Sequence, residues 1–436
     1  MTVTKIGLIS LTDSQPQPHE RPTTEVGDGE GDVVQPLVTI DEVRQARDRL
    51  SAVLRPTHAS LAHSVSTLAN RDVWLKHEYL QRTGSYKIRG AFNRISRLPP
   101  GKQVVAASAG NHAQGVALAA GMTGRQATIF MPAGAPVPKV EATENYGAHV
   151  RLVEGGVDEA LAAAMSYAQE IDAEFVSPFD HRDVIAGQGT VGLELAEQLS
   201  PEVKTVVVSI GGGGLISGTA VALKELRPDI RIVGVEPVGA NAMARSVEEG
   251  TCVTLDHLNT MADGIAVRRV CNLTLDHVSK LVDEIVLVDE EAIARAVIVL
   301  LERAKAVVEP AAAITLAAIL ENKIPGNDPV CAVLSGGNID PILLSKVIDF
   351  GLTASGRYLR VRLIMDDRPG LLALFSDFLS DMKVNVVLME HHRSGAADLA
   401  FNEVEVQLTL ETRSKDQHQL VIDGLRERGF PVEKMP

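Results

Sequence analysis

From Val38 to about Leu344, short runs of β-branched and other apolar residues alternate with Ala-rich stretches of helical spacing. The clearest apolar runs cover residues 104–107, 127–130, 205–210, 230–235 and 330–334. Strands that alternate with helices of about 10 to 15 residues are typical of βαβ units and a mostly parallel sheet. The pattern therefore predicts a large α/β body.

The pattern changes near Gly351, where shorter alternating segments begin. Strand-like alternation covers residues 358–365, 384–392, 401–412 and 431–433, and amphipathic helical spacing covers 371–382 and 416–428. The order β-α-β-β-α-β within about 80 residues is that of a ferredoxin-like unit. We therefore expect a small second module with the character of a regulatory unit.

The first part of the chain has a different composition. Residues 13–35 are rich in Pro, Gln, Glu, Asp and Gly and contain almost no bulky apolar side chain. Such a segment buries too little surface to offset the entropy of ordering it. The chain is thus predicted to consist of a disordered extension (1–36), a body (37–350) and a C-terminal module (351–436).

Charge and cysteine content narrow the range of partners. The 436 residues include 42 Lys plus Arg against 56 Asp plus Glu, a net charge of −14. An acidic chain without a basic block argues against nucleic acid and anionic membranes as partners. Three scattered cysteines form neither a disulfide framework nor a zinc motif, and no apolar run reaches the roughly 20 residues of a membrane span. We expect a soluble cytoplasmic protein.

Three glycine-containing loops follow predicted strands of the body, at residues 108–112, 211–215 and 335–338. Ligands of open α/β sheets bind at the carboxyl ends of strands, so these loops can converge on one cleft. Four consecutive glycines (211–214) cost roughly 0.5–1 kcal/mol each to order, which favours an anion-binding role over a plain turn. The loop is neither a Walker loop nor the dinucleotide fingerprint, so we expect a phosphate-binding loop that does not bind a nucleotide.

One lysine also attracts attention. Lys87 lies among small residues in the segment GSYKIRGA (84–91), two positions before Arg89. A single lysine is usually a solvated surface residue. A cationic neighbour and desolvation would both lower the pKa of its amine, as a nucleophilic lysine requires.

Four segments together resemble the fold-type II pyridoxal-phosphate enzymes: 81–92 (QRTGSYKIRGAF), 108–117 (SAGNHAQGVA), 211–218 (GGGGLISG) and 335–338 (SGGN). Within these the chain looks most like the threonine ammonia-lyases, with serine racemase and serine dehydratase as close relatives. The resemblance covers roughly residues 38–345. It implies a catalytic body of two open parallel-sheet subdomains and pyridoxal 5′-phosphate as the cofactor.

The resemblance also implies roles for individual residues. Lys87 matches the lysine that holds the cofactor covalently and takes the substrate Cα proton, and Asn111 matches the residue that hydrogen-bonds the cofactor's 3′ oxygen. Ser335 matches the serine that faces the pyridine nitrogen. The phosphate cradle matches Gly211, Gly212, Gly213, Gly214 and Leu215. The loop that grips the substrate carboxylate matches Ser85, Ser108, Ala109, Gly110, Asn111 and His112.

The hydroxyl of Ser335 bears on the type of reaction. Unlike a carboxylate, a hydroxyl leaves the pyridine nitrogen neutral, which favours β-elimination over transamination. The resemblance thus implies conversion of L-threonine to 2-oxobutanoate and ammonia, and of L-serine to pyruvate. A dehydratase or racemase acting on serine or 3-hydroxyaspartate stays open, because Tyr79 stands where the family usually has an acidic or amide residue.

An alternative of another class is a catalytically inactive amino acid sensor. The intact set of Lys87, Asn111, the tetraglycine and Ser335 speaks against it, because a sensor does not need all four.

Glu309 matches a residue usually near the cofactor ring, although it could equally be a residue at a helix N-terminus. Metal binding is undetermined: Glu236 and Ala240 match the metal site of the serine racemase branch, but its third ligand position is Ala242.

The C-terminal module resembles an ACT domain, with a loop at residues 366–370 before its first helix. The helix N-terminus after Gly370 offers N–H groups to an amino acid carboxylate. The resemblance implies an amino acid effector, isoleucine or valine, and a homo-oligomer, a dimer or a tetramer. The alternative is a plain packing unit, and the choice between isoleucine biosynthesis and threonine catabolism stays open.

Overall fold

A computed structural model describes residues 36–393 and 399–435. The predicted disordered extension, residues 1–36, lies outside the described residues except for Pro36. Among the described residues, 37–393 and 399–435 group into one unit by their contacts.

The helices are distributed along the whole described chain. They are α1 (Ile40–Leu50), α2 (His63–Ala69), α3 (Lys87–Ile95), α4 (Asn111–Met122), α5 (Val137–Asn145), α6 (Val157–Glu170), α7 (Arg182–Gln198), α8 (Gly214–Leu226), α9 (Ala242–Glu249), α10 (Asn272–Leu281), α11 (Glu290–Val299), α12 (Pro310–Leu320), α13 (Pro341–Ala354), α14 (Leu371–Asp381) and α15 (Lys415–Glu427). None of these helices combines the length and apolar character that a membrane span requires.

The strands alternate with the helices through the body. They are β1 (Ala59–Leu61), β2 (Val73–His77), β3 (Val104–Ala107), β4 (Ala127–Pro132), β5 (His149–Val153), β6 (Glu174–Phe175), β7 (Thr205–Ser209), β8 (Arg231–Pro237), β9 (Glu284–Val288), β10 (Val330–Leu334), β11 (Tyr358–Asp366), β12 (Asn385–His392), β13 (Glu403–Glu411) and β14 (Val432–Lys434). The five strands predicted in the body are confirmed as β3, β4, β7, β8 and β10.

Two parallel sheets form the body. The larger has the order β1-β2-β10-β7-β8-β9, with only β1 antiparallel to its neighbour, and the smaller has the order β5-β4-β3-β6. Residues of α11 and α12 pack on one face of the larger sheet and residues of α8 and α10 on the other. Helix α12 is apolar all round and almost wholly buried, as expected of a helix inside an α/β core. The expected body of two open parallel-sheet subdomains is confirmed.

The C-terminal module is a four-stranded antiparallel sheet in the order β12-β13-β11-β14. Alternate residues of β11 and β13 face α14 and α15, where Phe375, Phe378 and Val421 fill the core. The predicted β-α-β-β-α-β order is therefore confirmed.

Helix α13 joins the body to the module. It runs through Gly351 as far as Ala354, and β11 begins only at Tyr358. A Cβ on Gly351 would lie 2.9 Å from the carbonyl oxygen of Ala294 and 2.8 Å from Ile298 Cδ1, so α13 packs closely on α11. Residues 351–354, which we assigned to the module, thus continue a helix that packs on the body.

A buried cluster of charges holds α3 in place. Arg89, 2% exposed, uses all five guanidinium N–H groups: two donate to Glu78 at 2.8 Å, two to Glu194 at 2.6 and 3.0 Å, and one to Thr190 Oγ1 at 3.0 Å. Lys76 Nζ donates to Glu194 at 2.6 Å. Burial would raise the pKa of Glu78, but the Arg89 charge holds it below its usual value. Two cations therefore balance two carboxylates between α3, α7 and β2.

Removing Glu194 should unbalance this cluster. Glu194→Ala leaves Lys76 and Arg89 with one buried carboxylate, so we expect it to lower the free energy of unfolding by about 3–5 kcal/mol. Glu197→Ala on the same helix is the matched control: Glu197 pairs with Arg47, and its side chain is 64% exposed, so about 0–1 kcal/mol is expected. Urea unfolding of both variants measures the difference. Equal small effects would mean that the buried cluster is not what holds α3.

Candidate active site

The segment that precedes Lys87 is joined to the loop after β10 by backbone hydrogen bonds. Tyr86 N donates to Ser335 O at 3.1 Å and Gly337 N donates to Gly84 O at 2.9 Å. Ser85 pairs with Gly336 as an isolated antiparallel bridge. The third glycine loop therefore lies directly beside the start of α3, at the carboxyl end of the larger sheet.

Lys87 is the first residue of α3, and its amine is partly buried. Its Nζ donates to Pro178 O at 3.0 Å and lies 5.3 Å from the centroid of the Tyr86 ring. Burial lowers the pKa of Lys87 to about 8, and the nearby Glu309 carboxylate opposes this shift. The prediction that Arg89 helps to lower the pKa of Lys87 is wrong, because Glu78 and Glu194 neutralise that guanidinium in the buried cluster.

Asn111 begins α4 and connects two sides of the cleft. Its Nδ2 donates to the two carboxylate oxygens of Glu309 at 2.8 and 3.0 Å, and its Oδ1 accepts from Asn338 Nδ2 at 2.8 Å. Glu309 holds the N-cap position of α12 but makes no side-chain cap bond. Burial and, to a lesser extent, the charge of Asp263 raise the pKa of Glu309. The hydrogen bond from Asn111 opposes this shift, and the resulting pKa is about 7. Glu309 is therefore both a helix-end residue and a member of the cleft.

The tetraglycine lies at the N-terminus of α8. Gly213 is the N-cap in a left-handed conformation (φ +87°), and the first helical bond runs from Ser217 N to Gly213 O. The amides before Ser217 therefore have no acceptor within the helix. A Cβ on Gly212 would overlap the Phe179 ring, and one on Gly211 would lie 2.9 Å from Ile265 Cα. Glycine is required here by close approach of other segments as well as by backbone conformation.

Leu215 differs from the four glycines before it, with which it was predicted to form the phosphate cradle. Its side chain is 3% exposed and belongs to the core between α8 and the larger sheet. Only its backbone N–H, in the first turn of α8, is suited to an anion.

The loop after β3 leaves free space in front of its backbone. Ser108 Oγ accepts from Gly110 N at 3.1 Å, and a Cβ on Gly110 would meet no atom within 4 Å. Ala109 is partly buried. The His112 ring lies 2.8 Å from Val176 O, and burial lowers the pKa of His112 to about 3. The imidazole is therefore neutral and serves packing, which leaves the backbone of His112 for ligand binding.

Two serines complete the site. Ser85 Oγ is buried and has no hydrogen-bond partner among the described residues, and Ser335 follows β10 with 2% exposure. Pyridoxal 5′-phosphate and an amino acid substrate require four features that are present here. These are a low-pKa amine, free amides at a helix N-terminus, open space at Gly110 and an unsatisfied hydroxyl. The residues present fit the cofactor.

Glu236, which matches a metal ligand of the serine racemase branch, has a structural role here. Its carboxylate accepts from Met243 N at 3.0 Å and Ala244 N at 2.8 Å, so it caps α9. Burial raises the pKa of Glu236 to about 8. Within residues 36–393 and 399–435, no group of three or more His, Cys, Asp or Glu side chains could hold a metal ion.

Sequence reasoning did not assign a role to Asn338 or Phe179. Asn338 contacts Asn111 and Thr83, which are 227 and 255 positions away. Phe179 packs over Gly212 and Gly214 from the segment before α7. Apart from the position of Asn338 within SGGN, no local signal marked either residue.

Comparison with known proteins gives a consistent result. Residues 50–336 match the family model for pyridoxal-phosphate dependent enzymes. An L-threonine ammonia-lyase of Geobacter sulfurreducens is 44% identical over 396 residues, 90% of this chain and 98% of that protein. The catabolic L-threonine dehydratase of Escherichia coli (strain K12) is 42% identical over 319 residues, 72% of this chain and 97% of that protein.

The structure of maize serine racemase is also similar, with a TM-score of 0.68 and 37% identity over 73% of this chain and 99% of that one. The match to the family model extends over more than half of the sequence. It includes Lys87, Asn111, the tetraglycine and Ser335. This chain belongs to the family of pyridoxal-phosphate dependent enzymes.

Proposed function

We propose that the chain is an L-threonine ammonia-lyase, which converts L-threonine to 2-oxobutanoate and ammonia and L-serine to pyruvate. The observation that carries this proposal is the Lys87 amine, whose pKa burial lowers to about 8 beside the Asn111–Glu309 pair. The relatives from Geobacter sulfurreducens and Escherichia coli, named for threonine ammonia-lyase and dehydratase activity, support the choice of substrate.

Each residue of the cleft has a specific task in this proposal. When bound, the cofactor withdraws electrons from the substrate Cα. Lys87 holds the cofactor and then accepts the Cα proton, for which an amine with a pKa near neutrality is well suited. Asn111 would donate to the cofactor's 3′ oxygen. Ser335 would place a hydroxyl near the ring nitrogen and so leave it neutral.

The two glycine-containing loops bind the anionic groups. The amides of residues 211–215 hold the cofactor phosphate at the N-terminus of α8, whose dipole favours negative charge. The backbone of residues 108–112 holds the substrate carboxylate in the open space at Gly110. The buried Ser85 hydroxyl, which has no partner among the described residues, would donate to the same carboxylate.

A serine racemase or a serine or 3-hydroxyaspartate dehydratase is the second candidate. The likeness to maize serine racemase favours it, and Tyr79 lies against Gly337, beside the cleft, where the family usually has an acidic or amide residue. An inactive sensor is disfavoured by the partly buried low-pKa lysine, because desolvating an amine is costly and serves no purpose in a site without chemistry.

We further propose that the protein is a cytoplasmic homo-oligomer that assembles through β12. All eight residues of this edge strand are exposed. They include four consecutive apolar side chains: Val386, Val387, Leu388 and Met389. Edge strands of monomers are usually protected by charge or by a covering element. Pairing with the same strand of a second copy would satisfy the free backbone groups and cover these side chains, giving a dimer or, with further contacts, a tetramer.

The same module is proposed to bind an amino acid effector, isoleucine or valine, at the loop before α14. Gly370 is the N-cap of α14 with φ +97°, and a Cβ there would meet no atom within 4 Å. Free amides at this helix N-terminus suit an amino acid carboxylate. Two ion pairs connect the module to the helices of the body: Arg357 with Glu302 at 2.6 Å and Arg360 with Asp349 at 2.7 Å.

Lys87→Ala should abolish the reaction, because it removes both the covalent anchor and the base. Release of 2-oxo acid from threonine, serine and 3-hydroxyaspartate is measured together with the visible absorbance of the lysine-bound cofactor. We expect the wild type to prefer threonine, and the variant to lose both the absorbance and at least about 10²- to 10⁴-fold in rate. Lys204→Ala, which removes a half-exposed lysine paired with Asp229, is the control. A Lys87→Ala rate within about tenfold of wild type would contradict the assignment of Lys87 as the catalytic lysine.

A charge on β12 should weaken assembly. Leu388→Lys places an ammonium group where a second copy would pack, so we expect a smaller particle by light scattering at equal protein concentration. Leu420→Lys on α15, an equally exposed apolar residue of the same module (62% against 53%), should leave the mass unchanged. If Leu388→Lys keeps the wild-type mass, β12 is not the interface.

A chain ending at Ser355 should retain threonine deamination and lose its response to branched-chain amino acids. The shorter chain keeps all of α13. The match to the Escherichia coli relative spans 97% of that protein but only 72% of this chain. In the full chain the effector should change apparent affinity by about 5- to 150-fold. A chain ending at Phe350, which cuts the last turn of α13, should melt at a lower temperature. An effector response that persists in the shorter chain would refute the sensing role.

A further inference from the structure

We propose that Asn338 is a positioning residue for the reaction: it fixes which end of the Asn111 amide faces Glu309 and the cofactor. This proposal rests on the proposed function and deepens it. Asn338 lies in the loop after β10, and its side chain is partly buried. Its hydrogen bonds go to Thr83, Asn111 and Gln114, so its effect on the reaction would pass through Asn111.

The orientation of the Asn338 amide is determined by its acceptors. Its Nδ2 lies 2.6 Å from Thr83 O and 2.8 Å from Asn111 Oδ1. A backbone carbonyl accepts hydrogen bonds and cannot donate them, so the NH₂ end of Asn338 must face Thr83. The two hydrogens of that one nitrogen are thereby used, one for each of the two best-placed acceptors. A third contact, to Gln114 Oε1, is longer at 3.4 Å.

The orientation of Asn111 follows from that of Asn338. Because Asn338 presents a donor, Asn111 turns its Oδ1 toward it and its Nδ2 toward Glu309. The reversed amide would place Asn111 Oδ1 against the Glu309 carboxylate and its Nδ2 against the Asn338 donor, so it would lose both hydrogen bonds. The donor end of Asn111, the end that the cofactor's 3′ oxygen would require, is thus maintained by Asn338 together with the Glu309 carboxylate.

The same amide also supports the turn in front of Lys87. Thr83, whose carbonyl it binds, has a left-handed backbone (φ 66°), and so does Gly84 (φ 69°). A side chain at Gly84 would overlap Asn338 Oδ1. Left-handed conformations of residues other than glycine persist only where surrounding contacts hold them. Asn338 therefore couples the approach of the chain to Lys87 with the orientation of Asn111.

Asn338→Asp tests this coupling with almost no change of shape. A carboxylate cannot donate to Thr83 O or to Asn111 Oδ1, so we expect the Asn111 amide to rotate away from its wild-type orientation. Titration of the apoenzyme with pyridoxal 5′-phosphate should give a dissociation constant about tenfold higher, as for the loss of one buried hydrogen bond. The visible absorbance maximum of the holoenzyme should shift, and kcat for threonine should fall more than KM rises.

Asn93→Asp is the matched control. Asn93 is a fully buried asparagine on α3 whose Nδ2 donates to Asp183 O at 2.7 Å, away from the cleft. This change adds the same negative charge beside a backbone carbonyl, so it reproduces the general cost of the substitution. We expect its visible spectrum and cofactor affinity to equal those of the wild type.

Asn338→Ala provides a second variant in case the added charge prevents folding. It removes the donor without adding repulsion, so its effect on the spectrum and the cofactor affinity should have the same direction and be smaller. The proposal is overturned if folded Asn338→Ala or Asn338→Asp keeps the wild-type spectrum and affinity, or if Asn93→Asp changes them equally. A wild-type chain that shows no lysine-bound cofactor absorbance would overturn the proposed function itself, and this proposal with it.

Discussion

The guanidinium of Arg89 is the point on which the arrangement of the body depends. It is buried between β2, α3 and α7, and a buried cation is tolerated only where every N–H group finds an acceptor. Glu78, Glu194 and Thr190 supply those acceptors, and Lys76 balances the second carboxylate. Because Arg89 is two residues after Lys87, fixing its guanidinium also fixes the start of α3 relative to the larger sheet. The position of Lys87 at the start of α3 is thus tied to a buried charge cluster.

Burial then determines the electrostatics of the cleft. Desolvation lowers the pKa of the Lys87 amine and raises that of the Glu309 carboxyl, so that both lie near neutrality. Each charge partly opposes the shift of the other. Asn111 donates to the Glu309 carboxylate and is itself held by Asn338. Burial thus brings both pKa values toward the range in which acid–base groups act at neutral pH.

The C-terminal module has a core of its own and a continuous helical link to the body. Its apolar residues form a separate cluster between its sheet and its two helices. Helix α13 packs on α11 and ends four residues before β11 begins, and ion pairs at Arg357 and Arg360 span the junction. These contacts join the module to α11, α13 and the turn after α11.

The sequence by itself determined five of the ten strands described in the body, the order of elements in the module, and the glycine-containing loops that follow β3, β7 and β10. These follow from apolar periodicity and from runs of glycine, which are local properties of the chain. It did not determine the role of Arg89, which was expected to lower the pKa of Lys87 but is neutralised by carboxylates, one of them 105 positions away. The end of α13 and the contacts of Asn338 were likewise decided by tertiary structure, through packing on α11 and through partners 227 and 255 positions distant. The physical reason is that hydrogen-bond and charge partners are chosen by proximity in the folded state, whereas local patterning records only whether a side chain will be buried.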